Sequence, residues 1–111
     1  MIWANFFHIY QPPNWPPTII KKVADESYRP LLDILKRNPG LKITLNISGS
    51  LTEQLAEHNL HDIILDIKRL AARKQIEFTG TAIYHPILPL IPTEEIVRQI
   101  ELNTAVNQKY F

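Results

Sequence analysis

Three short strand patterns, each followed by a helical pattern, limit what this chain can fold into. Residues 2–10 are rich in aromatic and β-branched side chains and stop at a Gln-Pro-Pro turn, which predicts a buried strand. Residues 42–48 alternate strictly between apolar and polar side chains, the period-two pattern of a strand. Residues 75–79 are the third candidate strand. The chain is therefore expected to build a sheet from three separated segments.

Helical spacing of apolar residues fills the segments between and after these strands. Four helices are predicted. The first has the apolar stripe Tyr28, Leu31, Leu32 and Leu35 and ends at Asn38-Pro39-Gly40, and a short second one begins with a Ser50–Glu53 capping box and runs through Leu55. The third has an apolar stripe from Leu60 down to Lys74, and the last is capped by Thr93 and runs through Val106 or Asn107. Alternating strands and helices are typical of right-handed parallel crossovers. The predicted fold class is α/β with a parallel sheet.

Three parallel strands are few for a finished domain. An open parallel sheet of this size leaves two unpaired edges, and parallel sheets normally have both faces covered. We therefore predict that residues 1–111 form a partial (β/α) barrel. Such a partial barrel would expose a strand edge and apolar surface, which are expected to bind another part of the protein or a second copy of the chain.

Composition excludes several classes of function. The chain has 12 Lys and Arg against 11 Asp and Glu, a net charge of +1 without a basic stripe, so no nucleic-acid partner is expected. It has no cysteine, so neither a disulfide framework nor a thiolate metal site can form, and the cytoplasm is the predicted location. No apolar stretch approaches the roughly 20 residues that span a bilayer, so no membrane partner is expected.

The carboxyl ends of parallel strands, with the loops after them, normally form the functional site. The aromatic side chains there offer flat apolar faces that suit pyranose rings, and the polar ones can hydrogen-bond sugar hydroxyl groups. Aromatic residues beside prolines also occur in ordinary loop packing. Composition alone therefore does not decide between loop packing and a sugar site. Three sets of side chains are expected to face one another: His8, Tyr10, Gln11 and Trp15; Asn46 and Ser48; and Glu77, Tyr84 and His85.

The carboxylates limit the chemistry further. Classical glycoside hydrolysis needs two of them about 5 to 10 Å apart, one as nucleophile or base and one as acid. Of the 11 acidic residues, all but one lie on or beside predicted helices, where solvent-facing positions are expected. Only Glu77 falls within a strand, and its alternation with Ile76 and Phe78 directs it toward a barrel interior. One carboxylate is not a catalytic pair.

Histidine spacing does not indicate a metal site. His58 and His61 are three residues apart, but they straddle a helix break and have no third ligand in sequence, so we interpret them as surface residues. A site built from His8, His85 and Glu77 has suitable residue types without being indicated by any spacing. No metal and no cofactor is predicted.

Three segments carry a resemblance to a known family. Residues 3–13, Trp-Ala-Asn-Phe-Phe-His-Ile-Tyr-Gln-Pro-Pro, resemble the first signature region of glycoside hydrolase family 57, which has a His shortly before a Gln-Pro. Residues 76–90, an acid followed by glycine and an aromatic, proline-rich loop, look like the second signature region. Residues 95–103 resemble the helix after that loop. The three matches occur in order over nearly the whole chain.

The resemblance implies an incomplete, seven-stranded β/α barrel of which this chain would be the first three β/α units. It implies action on α-glucans such as starch, glycogen or pullulan by a retaining mechanism. Residue by residue, it implies substrate contacts at His8 and Gln11 and puts Glu77 beside the catalytic centre. Trp15, Tyr84 and His85 complete the predicted substrate-binding set. The nucleophile Glu and the general acid Asp belong to later family regions that no part of this chain resembles, so no catalytic residue is predicted within it.

The resemblance thus predicts part of an enzyme of the α-amylase, amylopullulanase or 4-α-glucanotransferase type. Its expected partners are an α-glucan and either the remainder of the barrel or a self-association partner. The 111 residues alone are expected to be inactive, as a truncated or split product or a fragment of a longer chain. Two alternatives stay open: a non-catalytic carbohydrate-binding remnant, and a metal-dependent deacetylase-like enzyme.

Overall fold

The chain folds into a three-stranded parallel sheet connected by helices. A computed structural model describes all 111 residues, Met1–Phe111. The strands are β1 Phe6–Ile9, β2 Ile43–Ile47 and β3 Ile76–Phe78, arranged β1-β2-β3 with both pairs parallel. The helices are α1 Pro17–Val23, α2 Arg29–Arg37, α3 Gly49–Glu57, α4 His61–Ala72 and α5 Thr93–Tyr110, with a π-helical turn at Ala24–Tyr28 and a 3-10 turn at Leu88–Leu90. The predicted α/β class with parallel strands is confirmed.

Alternation along β2 divides the sheet into two faces. Ile43, Leu45 and Ile47 are buried and join a hydrophobic core with apolar residues of α1 to α4. Thr44 and Asn46 point to the opposite side, which we call the open face. In a parallel pair, residues in register share a face. The register therefore assigns these residues to the open face: Phe6, His8, Thr44, Asn46 and Glu77.

β1 differs from the prediction in length and in burial. It begins at Phe6 rather than at residue 2, and it pairs only with β2, whose strand begins at Ile43. Phe6 is 61% exposed, and Trp3 is more exposed still. The aromatic composition correctly indicated a strand, but burial requires a second neighbour, and β1 is an edge strand.

The first helical segment begins at Pro17, well before the Tyr28 stripe that predicted it. Proline suits the first helical position, because its fixed φ and missing N–H cost nothing there. Pro30 lies inside the segment and removes one helical N–H. The adjacent π-helical turn, in which the Arg29 N–H bonds to the Ala24 carbonyl five residues back, accommodates that loss. The end of the segment at Arg37, before Asn38, agrees with the prediction.

Two predicted helix caps are wrong by one or two positions. Ser48 rather than Ser50 caps α3, and its Oγ accepts from the Leu51 N–H at 3.3 Å. The Ser50 N–H is bonded to the Ile83 carbonyl at 3.1 Å, so it is not available to the Glu53 side chain as the predicted capping box requires. Thr93 is the first residue of α5 and caps nothing, and that helix runs on to Tyr110. No helix is both long and apolar enough to cross a membrane.

Candidate functional site

His8, Asn46 and Thr79 form a row across the carboxyl ends of the three strands. His8 Nδ1 lies 2.8 Å from Asn46 Oδ1, and Asn46 Nδ2 donates to Thr79 Oγ1 at 2.9 Å. The strand register produces this row. His8 pairs with Asn46, and Leu45 pairs with Phe78, so the residues that follow them, Asn46 and Thr79, lie side by side. One amide side chain thus connects all three strands.

The loop after β3 brings a second histidine onto this row. The ring centroid of His85 lies 4.6 Å from that of His8 and 5.3 Å from that of Tyr10. His85 has a φ of 54°, a left-handed conformation that is uncommon outside glycine and that turns the loop at this point. The structure therefore brings the first and third predicted sets of side chains together through three rings.

Gln11 faces the helices rather than this cluster of rings. Its Nε2 donates to the Tyr28 hydroxyl at 3.2 Å, and its carbonyl accepts from Gln54 Nε2 at 3.0 Å. Its Oε1 is buried and has no hydrogen-bond partner. Burial raises the pKa of the Tyr28 hydroxyl, and the bond from Gln11 opposes that rise. Gln11 therefore holds the loop after β1 against the helical segment.

The other three predicted site residues stand apart from the row. Trp15 and Tyr84 expose much of their ring surfaces on the loops after β1 and β3. Glu77 pairs with Thr44, so it lies on the open face as predicted, one step closer to the amino ends of the strands than the row. It lines an open groove of about 500 Å³ there together with Trp3, Asn5, Lys42 and Lys74.

The remaining carboxylates are distributed as the sequence predicted. None of them is buried, and all belong to helices: Asp25, Glu26, Asp33, Glu53, Glu57, Asp62, Asp66, Glu94, Glu95 and Glu101. Several form ion pairs, such as Arg29 Nε with Asp62 Oδ2 at 2.7 Å, and the Arg29 guanidinium lowers the pKa of the Asp62 carboxyl. Glu77 is thus the only carboxylate carried by a strand, and no second one accompanies it.

Sequence reasoning missed the amide side chains that hold the loops of the site. Gln99 Oε1 accepts from the Tyr84 N–H at 3.1 Å, and Asn103 Oδ1 accepts from the Gly49 N–H at 2.6 Å. Both amide side chains are buried. A signal was present, because Gln99, Asn103 and Asn107 recur every four residues and so share one face of α5.

The structure offers no metal-binding cluster. No three His, Cys, Asp or Glu side chains come close enough together to hold an ion. His58 is half-buried and His61 is exposed, at the junction of α3 and α4. The metal-dependent alternative therefore has no ligand set among these residues.

Comparison with known proteins places the chain in a family. The family model described as glycosyl hydrolase family 57 matches residues 4–111, and the chain belongs to that family. It is 38% identical over 102 residues to an alpha-amylase of Pyrococcus horikoshii, and 35% identical over 104 residues to alpha-amylase 1 of Dictyoglomus thermophilum. These alignments cover 92% and 93% of this chain, but 16% and 15% of the two relatives.

A solved structure shows the same arrangement of elements. The crystal structure of the 4-alpha-glucanotransferase of Thermococcus litoralis matches with a TM-score of 0.90 at 30% sequence identity. The match covers 96% of this chain and 17% of that chain. This chain thus spans about a sixth of the length of the relatives it matches.

Proposed function

We propose that this chain supplies part of the α-glucan-binding site of a retaining glycoside hydrolase or glucanotransferase. The observation that carries the proposal is the row of His8, Asn46 and Thr79 beside the His85 ring. It lies at the carboxyl ends of parallel strands, where enzymes of this architecture bind substrate, in a chain that belongs to family 57. Hydrogen-bonding groups beside flat rings suit a pyranose.

Each predicted substrate-binding residue has a proposed contribution. His8 and His85 contact the sugar at the row, while Trp15 and Tyr84 offer exposed ring faces farther out on the loops. Gln11 contributes by holding the loop after β1, because its side chain is engaged by Tyr28. Glu77 faces the glucan from one step lower on the open face.

The catalytic pair is proposed to come from another part of the enzyme. A single strand-borne carboxylate cannot be both nucleophile and acid. The much greater length of the relatives leaves room for the pair elsewhere. The chain would then be the first three β/α units of a seven-stranded barrel, with the remaining units or a second copy covering its edges. No cofactor is needed for this chemistry, and the lack of cysteine favours the cytoplasm.

A hybrid enzyme tests this proposal. The matching segment of the Thermococcus litoralis 4-alpha-glucanotransferase is replaced by these 111 residues. The TM-score of 0.90 indicates that the two backbones are similar enough for this exchange. We expect the hybrid to retain transfer activity. His8→Ala should lower kcat/KM about tenfold, because a hydrogen bond to the sugar is lost, whereas His61→Ala on the exposed start of α4 should leave it unchanged. A folded, active hybrid that is indifferent to His8→Ala would contradict the proposed contact.

One observation favours a second candidate, a non-catalytic carbohydrate-binding role. Glu77 is the only carboxylate on a strand, so these residues combine the proposed sugar-binding groups with no pair of carboxylates for catalysis. A hybrid that binds maltopentaose but does not turn it over would support this second role.

A further inference from the structure

The row at the strand ends also selects between the two neutral forms of its histidine. We infer that Asn46 is a positioning residue that selects, between the two neutral forms of His8, the one protonated at Nδ1, which leaves Nε2 as a hydrogen-bond acceptor for a ligand hydroxyl group. The ligand half of this inference rests on the proposed function. The protonation half stands on the geometry of the three strands alone.

The orientation of the Asn46 amide is set by its neighbours on β3. The Gly80 carbonyl lies 3.5 Å from Asn46 Nδ2, and Thr79 Oγ1 lies 2.9 Å from it. A hydroxyl oxygen can either donate or accept, but a carbonyl can only accept. The opposite orientation would bring Asn46 Oδ1 towards the Gly80 carbonyl oxygen, and both of these atoms can only accept. The amide nitrogen must therefore face β3, and the amide oxygen must face His8 on β1.

That orientation decides which ring nitrogen of His8 carries the proton. Asn46 Oδ1 can only accept, and it lies 2.8 Å from His8 Nδ1, so Nδ1 must be the donor. A neutral imidazole has a single N–H, and the hydrogen bond made by one nitrogen selects the state of the other. Nε2 therefore keeps a free lone pair. Free histidine prefers the opposite arrangement, with the proton on Nε2, so Asn46 reverses the intrinsic preference.

The burial of Asn46 protects its bond to His8, and the exposure of His8 leaves Nε2 accessible to a ligand. Asn46 is 8% exposed, so water competes little for its amide, whereas His8 is exposed and no group of the chain bonds to its Nε2. The His85 ring, 4.6 Å away, covers one side of the imidazole. An open acceptor of this kind favours a hydroxyl donor over a carboxylate or phosphate group. We therefore expect selection for neutral glucans over acidic sugars.

Nuclear magnetic resonance of the 111-residue chain with 15N-labelled histidine rings tests the protonation half. Long-range 1H–15N spectra distinguish the two neutral forms, and they are recorded at alkaline pH, where histidine side chains are neutral. We expect His8 to show the Nδ1–H pattern. Asn46→Asp keeps an acceptor oxygen and should preserve that pattern, whereas Asn46→Leu should revert His8 to the Nε2–H form.

The signals of His58 and His61, distant from the row, serve as internal controls for folding. An Nε2–H pattern for His8 in the unchanged chain would overturn the inference, and that spectrum decides even if Asn46→Leu does not fold. A folded Asn46→Leu chain that keeps the Nδ1–H pattern would overturn it as well.

Titration with maltopentaose tests the ligand half. We expect the His8 Nε2 signal to move on binding, and the dissociation constant of Asn46→Leu to be about fivefold weaker, the effect of one hydrogen bond. Equal affinity of the unchanged and Asn46→Leu chains would overturn the positioning role. If the unchanged chain binds no maltopentaose, the proposed function and the ligand half fail together, while the spectra still decide the protonation state.

Discussion

At the scale of single residues, buried amide side chains secure backbone groups that helices and strands leave without partners. Gln75, immediately before β3, is 2% exposed. Its Nε2 lies 2.8 Å from the carbonyl oxygen of Leu35, 3.1 Å from that of Asn38 and 3.3 Å from that of Leu41. Two of these carbonyls also accept a backbone N–H, Leu35 from Asn38 and Asn38 from Leu41, so Gln75 adds a shared donor to the end of α2 and the turn into β2.

Removing this amide should destabilise the fold. Gln75→Leu keeps a similar volume but removes these hydrogen bonds and leaves the Leu41 carbonyl without its bond, which should cost about 1 kcal/mol in the free energy of unfolding. Gln108→Leu, at an exposed position of α5, is the matched control and should change that free energy little. Urea denaturation of both variants measures the difference. Equal stabilities would show that water replaces the Gln75 contacts.

Alternation predicted the face of single residues, but it did not predict their partners. The placement of Glu77 opposite Ile76 and Phe78 followed from period two alone. The link from His8 through Asn46 to Thr79 depended on the register of three strands, which no local pattern specifies. Gln11 is predicted to contact the sugar, and the bond from its amide to the Tyr28 hydroxyl depends on tertiary packing that no local pattern specifies.

At the scale of secondary-structure elements, α5 connects the loop after β3 to the helix after β2. Glu95, Gln99 and Asn103 lie along its inner side, and Gln99 Nε2 donates to Glu95 Oε1 at 2.8 Å. That bond directs Gln99 Oε1 to the Tyr84 N–H. The start of α3 approaches α5 closely at Gly49, so the two helices and the loop form one packed unit.

The close approach at Gly49 leaves no space for a side chain. A Cβ there would lie 3.0 Å from Ile83 Cγ1, 3.1 Å from Asn103 Oδ1 and 3.2 Å from Val106 Cβ. Gly49→Ala should therefore force α3 and α5 apart and lower the free energy of unfolding by about 1–3 kcal/mol. Gly80→Ala meets nothing within 4 Å and has no positive φ, so its effect should stay within about 0.5 kcal/mol. Thermal denaturation of both variants checks the contrast.

Glu95, in the first turn of α5, gives that helix a pH dependence. The Arg98 guanidinium, and after it the Gln99 amide, lower the pKa of Glu95 from 4.5 to about 2. A lowered folded-state pKa means that ionised Glu95 stabilises the fold fully above pH 4.5, and that this contribution is lost as the pH falls from 4.5 towards 2. The Tm of Glu95→Gln should therefore lie below that of the unchanged chain at neutral pH, and the two should converge near pH 2.

Glu94→Gln, on the exposed side of the same helical turn, is the control for that experiment. It should follow the unchanged chain at every pH. A constant gap between Glu95→Gln and the unchanged chain across the range would show that the ion pair contributes nothing.

The order and type of the main elements were predictable because each carried a strong period. The strict alternation in β2 and the apolar stripe of α4 both matched the structure closely. Boundaries were less predictable where tertiary contacts decide them. α1 begins at Pro17, well before the apolar stripe that predicted this segment, and the Ser50 N–H that the predicted capping box needs is bonded to the Ile83 carbonyl instead.

At the scale of the whole molecule, the sheet has two unpaired edges and an open face. β1 lacks a neighbour on its outer side, and β3 lacks one on the other. Large apolar side chains are exposed near these edges and on the loop and helix after β3: Trp3, Phe6, Ile87, Leu90, Val97 and Ile100. Surfaces of this kind mark contact sites or aggregation liabilities.

We expect the isolated chain to self-associate through this surface. Sedimentation velocity should show species larger than a monomer that grow with concentration. Phe6→Lys, at the edge of β1, should reduce the association, whereas Leu65→Lys, exposed on the outer side of α4, should not. A monodisperse, cooperatively unfolding monomer would contradict the partial-barrel proposal.

We propose that these residues bind α-glucan without carrying the pair that cleaves it. One nuclear magnetic resonance titration of the 111-residue chain with maltopentaose tests it, because the same sample reports ring signals of the protein and anomeric signals of the sugar. We expect shifts at His8, Trp15, Tyr84 and His85, with no new reducing ends and no maltooligosaccharides of other lengths over time. New reducing ends would mean that Glu77 has an unrecognised catalytic partner, and an absence of shifts would mean that the row at the strand ends is not a sugar site.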